Sequence, residues 1–418
     1  MARSPLRRAR GSQRRPRRPA LEPAPGGGFS GQLLEWCLLA ERQLPRGYTE
    51  VRKTDERLAY RVYIGTYTHG KGRGEGIYLF HMDPASGHLE PAGLVRGVAN
   101  PSYLALAPGG RQLYAVSEVA QTAGQPSGAL SALAVDAETG RLTLLNQEAT
   151  HGAGPCFVSV EATRRLALVA NYQSGSVAAL PILADGRLGA ASVTVQHHGS
   201  SVNPRRQAGP HAHSIIPDPT NRFALAADLG LDRILVYRLD AERGTLAPHE
   251  PAGWAGRPGA GPRHQAFHPN GRWLYVTNEL DSTVVALAWN GEAGTLAAIG
   301  TYPLLPAGFV GENTAAHVAL APSGRTLYAS NRGHDSIAML AADAATGALT
   351  PIGHVPSGGR TPRHFALDPA GRWLLAANQD SDTVVAFGID PASGQLAATG
   401  QVTRVPTPVC VLIAGPFG

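Results

Sequence analysis

The chain has 418 residues, of which 43% are hydrophobic and 16% are charged, and its formal net charge is +6. This composition supports a folded core and excludes a largely disordered protein. No apolar run is long enough for a transmembrane helix, and the excess positive charge lies near the N-terminus, so the net charge does not by itself predict a nucleic-acid partner.

Residues 1–58 form an extension rich in Arg, Pro and Gly. Residues 1–60 hold thirteen Arg or Lys and six Asp or Glu, with eight arginines between Arg3 and Arg18. Such a segment buries too little apolar surface to fold, so we expect it to be disordered. It can bind nucleic acid through counterion release, but no aromatic residues are interleaved with the arginines. A start site assigned too far upstream explains the extension better.

The extension contains no recognisable export signal. Its short apolar stretch after Gln32 is interrupted by Glu35, which does not suit the apolar region of a signal peptide. The three cysteines, Cys37, Cys156 and Cys410, follow neither a disulfide pattern nor a metal-binding pattern. We therefore expect a cytoplasmic protein with reduced thiols and no cofactor.

A repeated pattern begins near residue 60 and continues to the C-terminus. Its most regular copies place a histidine fourteen residues before an asparagine, in the pairs His264/Asn278, His317/Asn331 and His364/Asn378. Of the earlier copies, one keeps the asparagine, Asn171, and the others carry Asp228, Glu118 and Thr66 at this position. The seven copies are about 47 to 57 residues apart, a period typical of four-stranded propeller blades.

Short alternating apolar runs such as YLALAP and LSALAV predict β-strands, and no copy contains a helical pattern. Two series of turns separate these strands. Pro-x-Gly-Arg turns such as Pro269 to Arg272 follow the first strand of a copy, and Asp-x-x-x-Gly turns such as Asp343 to Gly347 follow the third. The sequence therefore predicts an all-β fold, a seven-bladed β-propeller with four antiparallel strands per blade.

The two ends of the repeat region complete a single blade. The segment YIGTYT to GHLE supplies strands two to four but no first strand, whereas PTPVCVLIAG near the C-terminus is a strand without partners. Pairing the two closes the ring and hides sheet edges that would otherwise promote aggregation. We therefore expect one propeller domain over residues 59–418.

Polar residues converge on the central channel, because the first strand of each propeller blade lines it. The candidates are ten residues on the first strands or directly after the second strands: His211, His213, Arg263, His264, His317, Arg363, His364, Glu279, Arg332 and Gln379. The repeated Asn residues are best explained as structural. The repeat does not require Arg263 and Arg363, since other copies carry Tyr103, Cys156 or Ala316 there. These arginines predict an anionic ligand, a carboxylate or a phosphate.

The motifs of several other reaction classes are absent from the sequence: a Gly-rich phosphate loop, HExxH, paired CxxC and G-x-S-x-G. His, Glu and Arg without a metal can carry out proton transfer or activation of water beside an anion clamp. Hydrolysis or formation of a lactone fits this limited set of groups.

Four segments resemble a known family: GPRHQAFHPNGRWLYVTNELDSTV, NPRRQAGPHAHSIIPDPTNRFALAADLGLDRI, LYASNRGHDSI and TPRHFALDPAGRWLLAANQDSDTVVAF. From about residue 60 to residue 418 the chain resembles the seven-bladed lactonase family. That family contains the propeller-type 6-phosphogluconolactonases and the fungal 3-carboxy-cis,cis-muconate lactonising enzymes. The resemblance implies a seven-bladed propeller with a site at the channel mouth and no obligatory metal.

The resemblance also implies roles for individual residues. His213, Arg263, Glu279 and Arg332 look like the His, two Arg and Glu that the muconate-lactonising branch uses for catalysis. The remaining candidates for substrate binding are His211, His264, His317, Arg363 and Gln379. We expect the arginines to clamp a phosphate or carboxylate while either His213 or Glu279 activates water. The expected reaction is metal-independent hydrolysis of 6-phosphogluconolactone in the pentose phosphate pathway of glucose metabolism.

The residues leave two alternatives open. A muconate-type cycloisomerase would use the same arginines, and a non-catalytic scaffold is suggested by the segment Tyr275 to Asn278, which resembles the YVTN repeat of surface propellers. Concentration of Arg, His and Glu in the channel favours an enzyme. As partners we expect a small anionic lactone but no membrane or nucleic acid, and we expect a monomer or a weak oligomer.

Overall fold

The computed structural model describes residues 59–122 and 124–415. The predicted disordered extension, residues 1–58, lies outside the described residues and stays a prediction. Within the described ranges, the only helical element is a 3-10 turn at Gln379–Ser381, as expected from the lack of helical patterns in the repeat. No helix in these ranges is both long and apolar enough to cross a membrane.

The strands form seven antiparallel sheets of four strands each, which confirms the predicted seven-bladed propeller. Numbered along the chain, blade 1 contains β1 (Tyr60–Thr66), β2 (Ile77–Met82) and β3 (Leu89–Val95), and blade 2 contains β4 (Leu104–Leu106), β5 (Gln112–Ser117), β6 (Ala129–Val135) and β7 (Leu142–Ala149). Blade 3 contains β8 (Pro155–Val160), β9 (Leu166–Asn171), β10 (Ser176–Pro181) and β11 (Val193–Gln196). Blade 4 contains β12 (Ala212–Pro217), β13 (Phe223–Asp228), β14 (Arg233–Asp240) and β15 (Thr245–Ala255). Blades 5 to 7 follow with β16 (Pro262–Phe267), β17 (Trp273–Asn278), β18 (Thr283–Asn290) and β19 (Thr295–Pro303); β20 (Thr314–Leu320), β21 (Thr326–Arg332), β22 (Ser336–Ala342) and β23 (Leu349–Pro356); and β24 (Pro362–Leu367), β25 (Trp373–Asn378), β26 (Thr383–Ile389) and β27 (Leu396–Arg404). The last strand, β28 (Pro408–Ala414), belongs to blade 1.

Both predicted series of turns are present, and glycine enables each of them. Gly271, between β16 and β17, has a φ of +71° and donates its N–H to the oxygen of His268 at 2.8 Å. Gly347, between β22 and β23, has a φ of +75° and donates to the oxygen of Asp343 at 2.7 Å. Because side chains disfavour positive φ, glycine at these positions shapes the tight hairpins.

Strand β28 closes the ring as predicted. It pairs antiparallel with β1, with Val411 opposite Ile64, and becomes the innermost strand of blade 1. Apolar side chains fill the space between neighbouring blades. Between blades 7 and 1, for example, Val411 packs in one buried cluster with Val62 and Leu375. The closing strand therefore contributes both sheet hydrogen bonds and core packing.

The repeated Asn side chains have a structural role, as the sequence indicated. Asn331 Nδ2 donates to the oxygen of Leu304 at 2.6 Å, and Asn378 Nδ2 donates to the oxygen of Ser357 at 3.0 Å. Both side chains are fully buried. Each one ties the end of a second strand to the segment that enters the blade, so the spacing of the repeat follows from this recurring contact.

One residue of the repeat was assigned one position too late. In blade 2 the second strand β5 ends at Ser117, and Leu104 lies opposite Ala115 just as Val318 lies opposite Ala329 in blade 6. Ser117 is therefore the equivalent of Asn331, and the prediction that Glu118 occupies the Asn position is wrong. Glu118 instead follows the second strand directly, at the place that Glu279 occupies in blade 5.

Candidate active site

Six of the seven blades contribute to a cavity of about 280 Å³. Its lining residues come from the starts of first strands, from the ends of second strands and from the loop between β11 and β12: Glu118, Cys156, Tyr172, Arg206, His213, Glu279, Thr314, Arg332 and Arg363. In an antiparallel pair the start of the first strand and the end of the second lie at the same edge. Groups far apart in sequence therefore meet at one end of the sheets.

A β-bulge occurs near the start of five of the first strands. The pairing register shifts around Cys156 in β8, His213 in β12, Arg263 in β16, Ala316 in β20 and Arg363 in β24. A bulge leaves a residue out of the ladder and redirects its side chain, which is why bulges recur beside active sites. The shared bulge explains why Cys156, His213 and Arg363 all face the cavity.

The carboxylate of Glu279 lies at the centre of the site. It accepts hydrogen bonds from Arg206 Nη2 at 2.6 Å and from Arg263 Nε at 2.9 Å, and it forms an ion pair with Arg332, whose Nη2 lies 3.0 Å away. The Glu279 side chain is only 5% exposed. Three cations on one buried carboxylate are strongly attracted to it, because the surrounding dielectric is low.

The arginines keep Glu279 ionised. Burial by itself raises the pKa of this carboxyl, but the charges of Arg332 and Arg263, assisted by His213 and Arg206, hold it well below its usual range. A carboxylate with such a low pKa is a weak base. The arrangement suits Glu279 to organise the arginines rather than to take a proton from water.

His213 lies between Cys156 and Glu279. Its Nδ1 is 3.6 Å from Cys156 Sγ, and its Nε2 is 4.0 Å from Glu279 Oε2. Burial, and next the charge of Arg263, lowers the pKa of His213 well below its ordinary value, so the imidazole is neutral at pH 7. Burial raises the pKa of Cys156, so its thiol stays protonated. The uncharged imidazole can accept a proton at Nε2 when its hydrogen lies on Nδ1.

Arg363 is available to an anion. Its guanidinium carbon lies 5.4 Å from the centre of the Tyr67 ring, and its nitrogens form no hydrogen bond or ion pair with another of the described residues. The hydroxyl of Tyr67 donates to Glu118, whose two oxygens lie 3.1 and 3.0 Å away. Arg363 thus lines the cavity with its hydrogen-bonding groups free for a ligand.

A family model described as "Lactonase, 7-bladed beta-propeller" matches residues 61–413. The chain belongs to this family. It is 36% identical over 300 residues to a 6-phosphogluconolactonase of Bacillus subtilis, covering 72% of this chain and 82% of that protein. It is also 33% identical over 303 residues to a 6-phosphogluconolactonase of Formosa agariphila, covering 71% and 83%.

A solved structure of the same family superposes well. The periplasmic gluconolactonase of Pseudomonas aeruginosa is 37% identical, with a TM-score of 0.81 over 86% of this chain and 99% of that one. The predicted family resemblance is therefore confirmed, and the prediction of a lactonase is confirmed at the level of the family.

The structure brings the four predicted catalytic residues together. His213, Glu279 and Arg332 line the cavity, whereas Arg263 lies behind Glu279 and is only 1% exposed. Arg263 is therefore placed to act through Glu279 rather than to touch a ligand. The catalytic assignments themselves stay predictions.

The predicted substrate-binding residues lie in four different places. Only Arg363 lines the cavity; Gln379 lines an adjoining cavity of about 590 Å³. His211 is turned toward blade 3, where its Nδ1 is 2.9 Å from the oxygen of Tyr172. His264 and His317 lie behind Arg263, outside both linings. A direct role in substrate binding stays a prediction for all five.

Sequence reasoning missed several cavity residues. Arg206 lies in a loop outside the repeat, so its position in the repeat could not be used to predict that it lines the cavity. It does lie in the segment NPRRQAGPHAHS, which carries part of the family resemblance. Glu118 and Tyr172 directly follow second strands, as Glu279 does. Aligning LYAVSE with LYASNR would have identified Glu118. Cys156 occupies the same position in the repeat as Arg263, and that position alone would have predicted that Cys156 lies near the channel.

No group of three or more His, Cys, Asp or Glu within residues 59–122 and 124–415 is arranged to hold a metal ion. The expectation of a metal-independent, cofactor-free reaction stays a prediction.

Proposed function

We propose that the chain hydrolyses 6-phosphogluconolactone to 6-phosphogluconate, without a metal, in the cavity described above. The observation that carries this proposal is the free guanidinium of Arg363 in the same cavity as a neutral His213 and an ionised Glu279. Arg363 can bind an anion, and His213, with Glu279 beside it, can activate water. The relatives named 6-phosphogluconolactonase support the choice of substrate.

The charges of the lining favour an anionic substrate. Three arginines line the cavity, Arg206, Arg332 and Arg363, against two carboxylates, Glu118 and Glu279. Arg206 and Arg332 already form ion pairs with Glu279, so Arg363 is the lining arginine best placed to bind the anionic group of a ligand. A phosphate ester supplies two negative charges and oxygens in a geometry that a guanidinium can bind through two N–H groups.

His213 acts as the general base in this proposal. A water beside Nε2 attacks the lactone carbonyl carbon and transfers a proton to His213. The imidazolium that forms faces the Glu279 carboxylate, 4.0 Å away, which stabilises the new charge. The oxygen of the carbonyl becomes an oxyanion, and Arg332, whose Nη2 alone is hydrogen-bonded, has further N–H groups that can stabilise it.

Ring opening completes the reaction. The tetrahedral intermediate re-forms a carbonyl as the bond to the ring oxygen breaks, and His213 returns its proton to that oxygen, which leaves as a hydroxyl. The new carboxylic acid releases its proton to solvent and becomes a carboxylate, so the product carries this charge in addition to the phosphate, and repulsion between these charges and Glu118 assists its release. The enzyme is left in its starting protonation state.

The test compares kcat/KM for 6-phosphogluconolactone and for unphosphorylated gluconolactone after subtraction of the spontaneous hydrolysis rate. We expect a strong preference for the phosphorylated lactone. Replacing Arg363 by Met removes one or two charge-assisted hydrogen bonds of about 1.5–3 kcal/mol each, so kcat/KM for the phosphorylated lactone should fall by at least about tenfold. The unphosphorylated lactone should lose much less.

The exposed Arg325, in the turn before β21, provides the matched control. Arg325→Met should leave kcat/KM for both lactones within experimental error. Equal kcat/KM for the two lactones in the unmodified protein would refute phosphate recognition, and no hydrolysis above the spontaneous rate would refute the proposed reaction. The predicted cytoplasmic location and place in glucose metabolism follow from this substrate and stay predictions with it.

A further inference from the structure

Three histidines form a cluster behind Arg263, in which His264 and His364 are buried and His317 is partly buried. His264, His317 and His364 come from β16, β20 and β24, at equivalent positions of the repeat. The rings of His317 and His364 stack with centres 3.8 Å apart, and Tyr103 packs its ring against the edges of His264 and His364 at 5.5 and 5.4 Å. The cluster lies outside the cavity lining, so the reaction proposed above does not use it directly.

The hydrogen bonds of this cluster determine which nitrogens carry protons. Arg263 Nη1 lies 3.2 Å from His264 Nε2, and an arginine N–H can only donate, so His264 Nε2 must accept. A neutral His264 then carries its hydrogen on Nδ1. That nitrogen is 2.9 Å from His317 Nδ1, which must therefore accept, leaving the hydrogen of His317 on Nε2.

The surroundings keep both rings neutral. Burial is the main cause of the low pKa of His264, followed by the charge of Arg263, and His317, His213 and His364 act in the same direction. The pKa of His317 is likewise held well below its usual value by burial, then by His364 and Arg263. No carboxylate among the described residues is paired with either ring. Both are therefore uncharged at neutral pH, as the chain of hydrogen bonds requires.

We propose that His264 and His317 are positioning residues: through this hydrogen-bond chain they hold Arg263, and through Arg263 they hold the Glu279 carboxylate in its place beside His213. The proposal rests on the lactone hydrolysis proposed above. Arg263 is held on its other side by Ala316, whose oxygen accepts from the same Nη1 at 2.9 Å. The His264 ring and the Ala316 oxygen together orient the guanidinium, and thereby determine where Nε meets Glu279 at 2.9 Å.

Acid should disconnect this chain. A proton on His264 Nε2 would point a donor at the Arg263 guanidinium and add a second positive charge beside it. Because the folded protein favours the neutral ring, the contribution of His264 to stability is complete above the unfolded-state pKa near 6.5 and is lost progressively as the pH falls from there toward the lower folded-state pKa, where the ring itself gains a proton and the chain breaks. Loss of the chain would displace Arg263 and Glu279.

The first experiment compares two substitutions of His317. His317→Asn places an amide oxygen near the position of Nδ1, where it can accept from His264, whereas His317→Leu has similar bulk and no acceptor. We expect kcat of the Leu variant to fall by about tenfold or more, with KM changed less than threefold, because a small displacement of a catalytic group has large effects on the rate. The Asn variant should recover most of that loss.

His364→Phe serves as the comparison variant, because it keeps an aromatic ring against His317 and leaves the chain to Arg263 intact, although it removes the acceptor of the Val411 N–H, which lies 3.3 Å from His364 Nδ1. Equal losses of kcat in His317→Leu and His364→Phe would show that only packing matters and would overturn the proposal. Full activity in His317→Leu, with an unchanged pH profile, would overturn it as well.

The second experiment reads the protons directly, in the unmodified protein labelled with ¹⁵N-histidine. Two-bond ¹H–¹⁵N correlation spectra at pH 7 should show hydrogen on Nδ1 of His264 and on Nε2 of His317. Hydrogen on His264 Nε2, or a charged His264, would refute the chain even if variants fail to fold. Since this measurement needs no substrate, it separates failure of the hydrogen-bond chain from failure of the proposed lactone hydrolysis, which the kcat/KM comparison decides.

Discussion

Replacing Glu279 by Gln tests the centre of the site. The carboxylate forms ion pairs with three arginines at 2.6, 2.9 and 3.0 Å, and Gln offers them one neutral amide oxygen instead of a charged carboxylate. Removing one partner of a buried charge network costs about 3–5 kcal/mol, because the remaining charges are left uncompensated. For a domain of this size that corresponds to a fall in Tm of about 4–7 °C.

The same substitution should lower kcat. Without the negative charge, nothing stabilises the imidazolium of His213 during proton transfer, and the arginines repel one another out of position. We expect a loss of about 100-fold or more in kcat on 6-phosphogluconolactone. Initial rates and thermal unfolding followed by circular dichroism measure the two effects separately.

The stability difference between the parent and Glu279→Gln should depend on pH with a defined sign. The folded-state pKa of Glu279 lies well below the unfolded-state value near 4.3. Its ionised form therefore stabilises the protein above about pH 4.3, and this contribution is lost as the pH falls toward the folded-state pKa. Below about pH 4 the difference should shrink by about 1.4 kcal/mol per pH unit.

Glu292, exposed in the turn after β18, provides the control. Glu292→Gln should change the free energy of unfolding by less than about 0.5 kcal/mol. If Glu279→Gln unfolded within 1 °C of the parent and kept its kcat, the three-arginine network would carry neither stability nor catalysis, and the reasoning would be refuted.

Two further predictions concern His213 and Asn378. His213→Gln keeps a polar side chain of similar reach but no basic nitrogen, so steady-state kinetics should show kcat lower by about 10²–10⁴-fold with KM little changed; an unchanged kcat would exclude His213 as the base. In the parent, kcat should stay constant from pH 8 to below pH 6.5 and fall only in more acidic solution, since the pKa of His213 lies well below its ordinary value. Asn378→Ala removes the hydrogen bond to Ser357 and should cost about 1–3 kcal/mol in denaturant unfolding without changing kcat; a loss of kcat at full stability would contradict a structural role.

The repeat in the amino-acid sequence is sufficient to predict almost the whole fold. The spacing of His and Asn, the two series of turns and the unmatched strands at the two ends predicted seven blades, four strands per blade and closure of β28 on β1. These features depend on local chemistry, namely strand propensity, glycine in tight turns and an Asn that bonds a nearby backbone oxygen. Because each blade repeats the same local solution, errors stayed small: the misplacement of Glu118 was one residue.

The candidate site was predictable only where it coincided with the repeat. His213, Glu279 and Arg332 could be singled out as exceptions at repeated positions, and the cavity contains all three. Arg206 could not, because it lies in a loop whose path depends on contacts with Tyr172 and Glu279. Loops outside a repeat have no periodic signal, so only the folded chain shows where they lead.

The sequence by itself determined the family, the architecture and the positions at which unusual side chains occur. The tertiary structure decided which of these side chains face the cavity, because the bulges in the first strands and the burial of Arg263 depend on long-range packing. Register places Arg263 and Arg363 at equivalent positions, yet one is buried behind Glu279 and the other lines the cavity. The difference arises from their neighbours: Glu279 and His264 contact Arg263 through hydrogen bonds, whereas the guanidinium of Arg363 lies against the ring of Tyr67.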